Sequence, residues 1–130
     1  KYTSRDQKRR LTGKYDGENE FIDDIAQIFG FNPLDFQVDS WELIDDFHHR
    51  RQDTGQPHAA VLSAPTGFGK TEAFLGPLYQ HLINDEQDTA AIVYPRRALL
   101  QDQLGRILEH IHTIKRDHGH FGQDLPVQNT

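Results

Sequence analysis

The sequence predicts an α/β fold: parallel strands flanked by helices, with a helical lead-in at the N-terminal side. Three observations carry this expectation. Two short apolar runs, AAVLS at 59–63 and AAIVY at 90–94, have the length and the bounding turns of buried strands. Each is followed by a helical pattern, over 69–83 and from Pro95 to about Ile114, and strand–helix–strand–helix order argues for a parallel sheet. Ahead of both, residues 19–29 carry apolar side chains at helical spacing.

Residues 1–18 are polar, without an apolar stripe, and read as an arm or linker whose Lys8-Arg9-Arg10 cluster is solvated. The ordered domain is expected over 19–116. In NEFIDDIAQIF, Phe21, Ile22, Ile25, Ile28 and Phe29 share one helix face, and Gly30 suits a C-cap. A second helix is expected after Pro33, burying Phe36, Trp41, Leu43, Ile44 and Phe47. HHRRQDTGQPH at 48–58 loses the periodicity and contains Gly and Pro, so a loop is expected there. In the helix over 69–83, Ala73, Phe74, Leu78, Leu82 and Ile83 face inward, and Pro77 should bend it or remove a bond. A polar turn follows at 84–88, and 117–130 reads as a flexible tail.

Composition limits the functional classes. With 130 residues the chain supports one modest domain. No apolar run approaches the roughly 20 residues that span a bilayer. The absence of cysteine excludes a disulfide framework and a thiolate metal site, and fits a cytoplasmic, intracellular setting with no membrane partner. The absence of methionine points to a piece of a longer reading frame. A net charge of −6 means that any contact with nucleic acid is local rather than driven by bulk charge.

The chemistry centres on Ala64-Pro65-Thr66-Gly67-Phe68-Gly69-Lys70-Thr71, set between the first predicted strand and its helix. Glycine permits backbone conformations that turn successive N–H groups inward as an anion nest. The helix start adds its own free N–H groups and the positive end of its dipole. In this pattern Lys70 reaches the β- and γ-phosphates of a nucleoside triphosphate and the Thr71 hydroxyl ligates Mg²⁺. Ala64 stands where the general pattern has glycine.

The run A-P-T-G-x-G-K-T-E-A-F-L-x-P, through Glu72 to Pro77, resembles motif I of superfamily 2 helicases of the DEAD/DEAH-box type. Tyr94-Pro-Arg-Arg-Ala-Leu-Leu-Gln-Asp-Gln103 is similar to motif Ia, which touches a bound strand's backbone in that family. There Arg97 matches the family arginine, and Arg96 stands in place of the usual threonine. Two cations at a helix N-terminus oppose its dipole, a repulsion that a nearby phosphate would relieve. Pro33-Leu-Asp-Phe-Gln37, followed by Trp41, is similar to the family's glutamine-bearing segment. That likeness implies that Gln37 hydrogen-bonds the adenine edge while an aromatic residue stacks nearby. The resemblance covers about residues 31–112.

It implies part of a RecA-like P-loop NTPase domain, with ATP and Mg²⁺ as cofactors. Nucleic acid is the implied partner, with DNA favoured over RNA and the choice between them left open, together with the rest of a longer chain that includes a second RecA-like domain. The stretch also resembles helicases of phage defence. A double-stranded DNA translocase and a nucleotide-dependent switch remain alternatives. Asp85-Glu86-Gln87-Asp88 spells the family's acidic letters, but it follows an amphipathic helix rather than a buried strand and reads as a solvated turn. His110, His112, His118 and His120 read as a surface cluster without the converging geometry of a zinc site. With no metal-binding Asp and no water-orienting Glu in place, these residues are expected to bind nucleotide without turning it over.

Overall fold

Asn19 starts the first helix by accepting the Ile22 N–H on its side-chain Oδ1 at 3.3 Å. This helix, α1, spans Glu20–Phe29 and ends at Gly30, whose left-handed φ of 76° brings its N–H to the Ala26 carbonyl at 2.8 Å. The computed structural model describes residues 13, 15–65, 67–85 and 88–119. Three further helices follow in it: α2, Asp35–Thr54; α3, Lys70–Asn84; and α4, Arg97–His118. Thr66, Glu86, Gln87, His120, the Lys8-Arg9-Arg10 cluster, and most of both the expected arm and the expected tail lie outside the described residues.

The parallel sheet expected from the sequence is absent, and this corrects the α/β, RecA-like expectation: the described residues contain helices and no strand. Residues 59–63 and 90–94 are irregular, and Val61 and Val93 are 93% and 88% exposed where buried strands would hide them. Apolar content marks a segment that could enter a sheet, but a ladder also needs partners. Parallel pairs must be covered on both faces, and independent sheets need about three strands or more. Two runs of five residues do not meet that requirement.

The chain divides into two compact units, Lys1–Pro77 and Leu78–Thr130. In the first, Ile22 and Ile25 of α1 pack with Val38 and Trp41 of α2, and Tyr15, Phe21 and Phe29 close around them. Ile22, Ile25 and Trp41 are fully buried, each contributing on the order of 1.5–3 kcal/mol by leaving water. The lead-in is tied to the start of α2 by two backbone bonds, Tyr15 N–H to the Pro33 carbonyl at 3.0 Å and Asp35 N–H to the Gly13 carbonyl at 2.7 Å.

α2 also corrects the loop expected over 48–58, because it continues through that polar stretch to Thr54. One-turn contacts replace the missing apolar face: Arg50 pairs with Asp46 at 3.0 Å, and the Thr54 hydroxyl donates to the Arg50 carbonyl at 2.8 Å. Gly55, with φ 72°, then ends the helix. In the second unit, Leu82, Ile83 and Ile114 are buried, and the buried Tyr79 brings its hydroxyl to His110 Nδ1 at 3.0 Å.

Candidate phosphate-binding loop

The glycines of the loop adopt the backbone shape that the sequence pattern requires. Gly67 has φ 91° and Gly69 has φ 74°, values that side-chain-bearing residues rarely take. A Cβ on Gly67 would meet nothing within 4 Å, so that side of the turn is open. Gly69 immediately precedes α3, and its carbonyl accepts the helix's first bond from Ala73 N–H at 3.1 Å. Lys70 and Thr71 open the first turn, where N–H groups have no partner within the helix. Glycine at the cap also has no side-chain oxygen to cover them. The Lys70 side chain is exposed, while Thr71 and Glu72 are half-buried.

Behind the loop stands α2. Gln37 is 3% exposed. Its Oε1 accepts the Leu34 N–H at 2.9 Å, and its Nε2 donates to the Gly69 carbonyl at 3.3 Å. Reciprocally, Gln37 N–H donates to the Leu34 carbonyl at 2.9 Å, closing the first turn of α2. One turn further on, Trp41 Nε1 donates to the Glu72 carbonyl at 2.9 Å. The glutamine and the tryptophan thus share one face of α2 and both bond the backbone at the start of α3. Gly76 makes the approach possible: a Cβ there would lie 2.7 Å from both Ile25 Cγ2 and Trp41 Nε1. Trp41 sits in the core, not beside the loop's open face.

A cavity of about 270 Å³ adjoins the loop, with Phe31, Leu34 and Phe68 as its apolar lining and Gln37, Gly67, Gly69 and Glu72 completing it. Its volume falls near the lower end of ligand-holding pockets. Of the other expected loop residues, Ala64 is half-buried and Pro65 exposed.

Arg96 and Arg97 belong to the second unit. Arg96 caps α4 in extended conformation with no side-chain capping bond, both arginines are exposed, and the first turn holds no acidic residue. Nearby in sequence, the Tyr94 hydroxyl and Gln103 Oε1 are buried without a hydrogen-bond partner among the described residues. Burial pushes the Tyr94 hydroxyl above its ordinary pKa. His110 is engaged with Tyr79, and no group of metal-ligating side chains converges among the described residues. Asp88 N–H donates to the Asp85 carbonyl at 3.1 Å. No helix among the described residues is long and apolar enough to cross a membrane.

The loop itself was legible from its glycines, lysine and threonine. The bonds from Gln37 and Trp41 to the start of α3 were not, although the four-residue spacing of those two side chains already places them on one face.

A family model described as DEAD/DEAH box helicase matches residues 43–127, more than half of the chain. The chain is 45% identical over 51 residues to the mitochondrial ATP-dependent RNA helicase MSS116 of Saccharomyces cerevisiae, a match covering 35% of this chain and 8% of that protein. It is 34% identical over 73 residues to the ATP-dependent helicase hrq1 of Schizosaccharomyces pombe, covering 53% of this chain and 7% of that protein. The chain therefore spans less than a tenth of either relative. No solved structure matches it.

Proposed function

This chain belongs to the DEAD/DEAH box helicase family, and from that premise we propose that residues 64–72 hold the triphosphate of ATP within an ATP-dependent nucleic-acid helicase. The observation that carries the reading is the loop's shape. Two glycines at positive φ turn the backbone toward an open side, and α3 begins there with Lys70 and Thr71. The backbone N–H groups of 67–71 and the helix dipole favour an anion at this point. The Lys70 ammonium neutralises the β- and γ-phosphates, and the Thr71 hydroxyl is the protein's ligand to Mg²⁺. Bound Mg²⁺ supplies neutralisation of the charge that develops on the phosphoryl oxygens.

Arg96 and Arg97 are assigned to the phosphates of a nucleic-acid strand. Their exposure and the uncapped start of α4 leave charge and N–H groups available for that contact. The residues 64–72 bind and orient the triphosphate. The carboxylates that position the attacking water are assigned to other parts of the helicase, so this chain alone binds ATP without hydrolysing it.

The test is a titration of Mg·ATP against this chain and its Lys70→Ala variant, by calorimetry or with a fluorescent nucleotide. Loss of the ammonium is expected to weaken binding about tenfold or more, as for a charge-assisted contact. Equal affinity in the two proteins would overturn the assignment of the loop.

A further inference from the structure

We propose that the basic N-terminal residues 1–12 dock in cis along the acidic side of α1 and α2 and are thereby withheld from a nucleic-acid strand. The docking itself involves neither the phosphate loop nor Arg96 and Arg97.

Charge is unevenly spread along the chain. Residues 15–49 hold ten Asp and Glu and no Lys or Arg. Ahead of them, Lys1, Arg5, Lys8, Arg9 and Arg10 stand against the single acid Asp6. On α2, Asp35, Asp39, Glu42 and Asp46 recur at steps of four, three and four residues, which sets them in one stripe along the helix. The last three are exposed, as are Glu20, Asp23 and Asp24 on α1. Burial, and then the charges of Asp23, Glu42, Asp16 and Glu18, hold the Tyr15 hydroxyl above its ordinary pKa. Carboxylates from the lead-in, α1 and α2 therefore bear on one place. A face of one sign repels itself, and a cationic cover relieves that repulsion.

The chain's own connections choose the occupant. Tyr15 N–H donates to the Pro33 carbonyl, and Asp35 N–H donates to the Gly13 carbonyl. Gly13 is thereby fixed at the first residue of the stripe. The pairs 15 with 33 and 13 with 35 run antiparallel. Read back from Gly13, the chain thus sets out in the direction in which residues 33–35 enter α2. The five residues from Gly13 back to Lys8 span about 17 Å when extended. Asp35 and Asp46 lie about 16 Å apart along a helix. Lys8, Arg9 and Arg10 therefore match the length of the stripe. One exposed ion pair contributes little, so docking depends on several acting together. The tether supplies what a free partner lacks, an effective concentration on the order of millimolar, and a strand in solution must compete with it.

The experiment is a double-mutant cycle on the whole chain, read as urea midpoints at low and at high salt. One variant neutralises the arm with Lys8→Gln, Arg9→Gln and Arg10→Gln. A second neutralises the acidic face with Asp23→Asn, Asp39→Asn and Glu42→Gln. A control removes the same charge from α4 with Asp102→Asn, Glu109→Gln and Asp117→Asn. At low salt, neutralising the arm should lower the midpoint of the wild type and of the control, and leave the face variant unchanged. At high salt, where the Debye length falls to about 3 Å, these differences should close. With a labelled oligonucleotide, neutralising the face should free the arm. The slope of log K against log salt should then steepen from about −1.4, for Arg96 and Arg97 alone, to about −3.5 with three arm cations added. An arm effect that persists undiminished in the face variant would overturn the docking, because the arm would then act through net charge alone. A coupling that fades on dilution would place the arm on a second copy of the chain and overturn docking in cis. So would an oligonucleotide slope already near −3.5 in the wild type and unmoved by the face variant.

Discussion

Gly67 and Gly69 look interchangeable in the sequence, yet their surroundings separate them. Both sit at positive φ, but a Cβ on Gly67 enters open space, whereas one on Gly69 collides with Gln37 Nε2. Alanine at 67 carries backbone strain alone, on the order of 1 kcal/mol. At 69 it adds the lost bond from Gln37, raising the total to roughly 2–3 kcal/mol. Urea unfolding of the two variants should therefore rank Gly69→Ala below Gly67→Ala, and equal midpoints would contradict the collision. At this scale the sequence is readable where chemistry is local. The positive φ of Gly67 and Gly69 follows from the G-x-G spacing, because the loop builds its own geometry within a few residues. The Gln37–Gly69 bond joins residues 32 apart in sequence, and no local pattern marks it. Trp41 shows the same limit: its burial on the second helix was legible from spacing, but its bond to Glu72, 31 residues away, was not. Trp41→Phe should retain most of the packing and lose about 0.5–1.5 kcal/mol for the missing hydrogen bond to Glu72, read as a shift in the same urea midpoint.

Two helix-interior glycines test the element scale with opposite signs. Alanine is favoured over glycine within a helix by roughly 0.8–1 kcal/mol, so propensity alone predicts a gain at either site. Gly105 of α4 is exposed and a Cβ there meets nothing within 4 Å, so Gly105→Ala should stabilise by about that amount. Gly76 of α3 is buried, with Ile25 and Trp41 at 2.7 Å from its Cβ position. Overpacking there costs about 1–3 kcal/mol, enough to cancel or reverse the gain, and thermal melts should move in opposite directions. A stabilised Gly76→Ala would mean that α3 does not pack so closely on Ile25 and Trp41. The helices were the legible elements, because spacing and caps act within a few residues: Gly30 and the start of α2 after Pro33 both follow from neighbouring residues. The end of α2 was not, since side-chain pairs such as Arg50–Asp46 sustain it where apolar periodicity stops. The strands failed for the converse reason. AAVLS and AAIVY have suitable composition, but a strand is defined by its partners, and no run of five residues contains them.

Over the whole molecule, charge decides how a nucleic-acid strand can bind. A net charge of −6 repels a polyanion at long range, so attraction must come from a few cations close to the phosphates. The structure offers such a pair in Arg96 and Arg97, exposed at the uncapped start of α4. Each phosphate neutralised on a single strand contributes about −0.7 to the slope of log K against log salt, so two arginines predict a slope of about −1.4. Measured by fluorescence anisotropy with a labelled oligonucleotide, binding should be weak and the slope shallow. Replacing both arginines with alanine should bring the slope toward zero. If the N-terminal cluster Lys8-Arg9-Arg10 joined them, five cations would steepen the slope to about −3.5, and most of it would survive the double substitution. The two outcomes place the contact differently. A shallow slope abolished by Arg96→Ala with Arg97→Ala assigns the strand to the start of α4. A steep slope, cut by the double substitution from about −3.5 to about −2.1, assigns the strand to the basic N-terminal residues together with the pair at the head of α4.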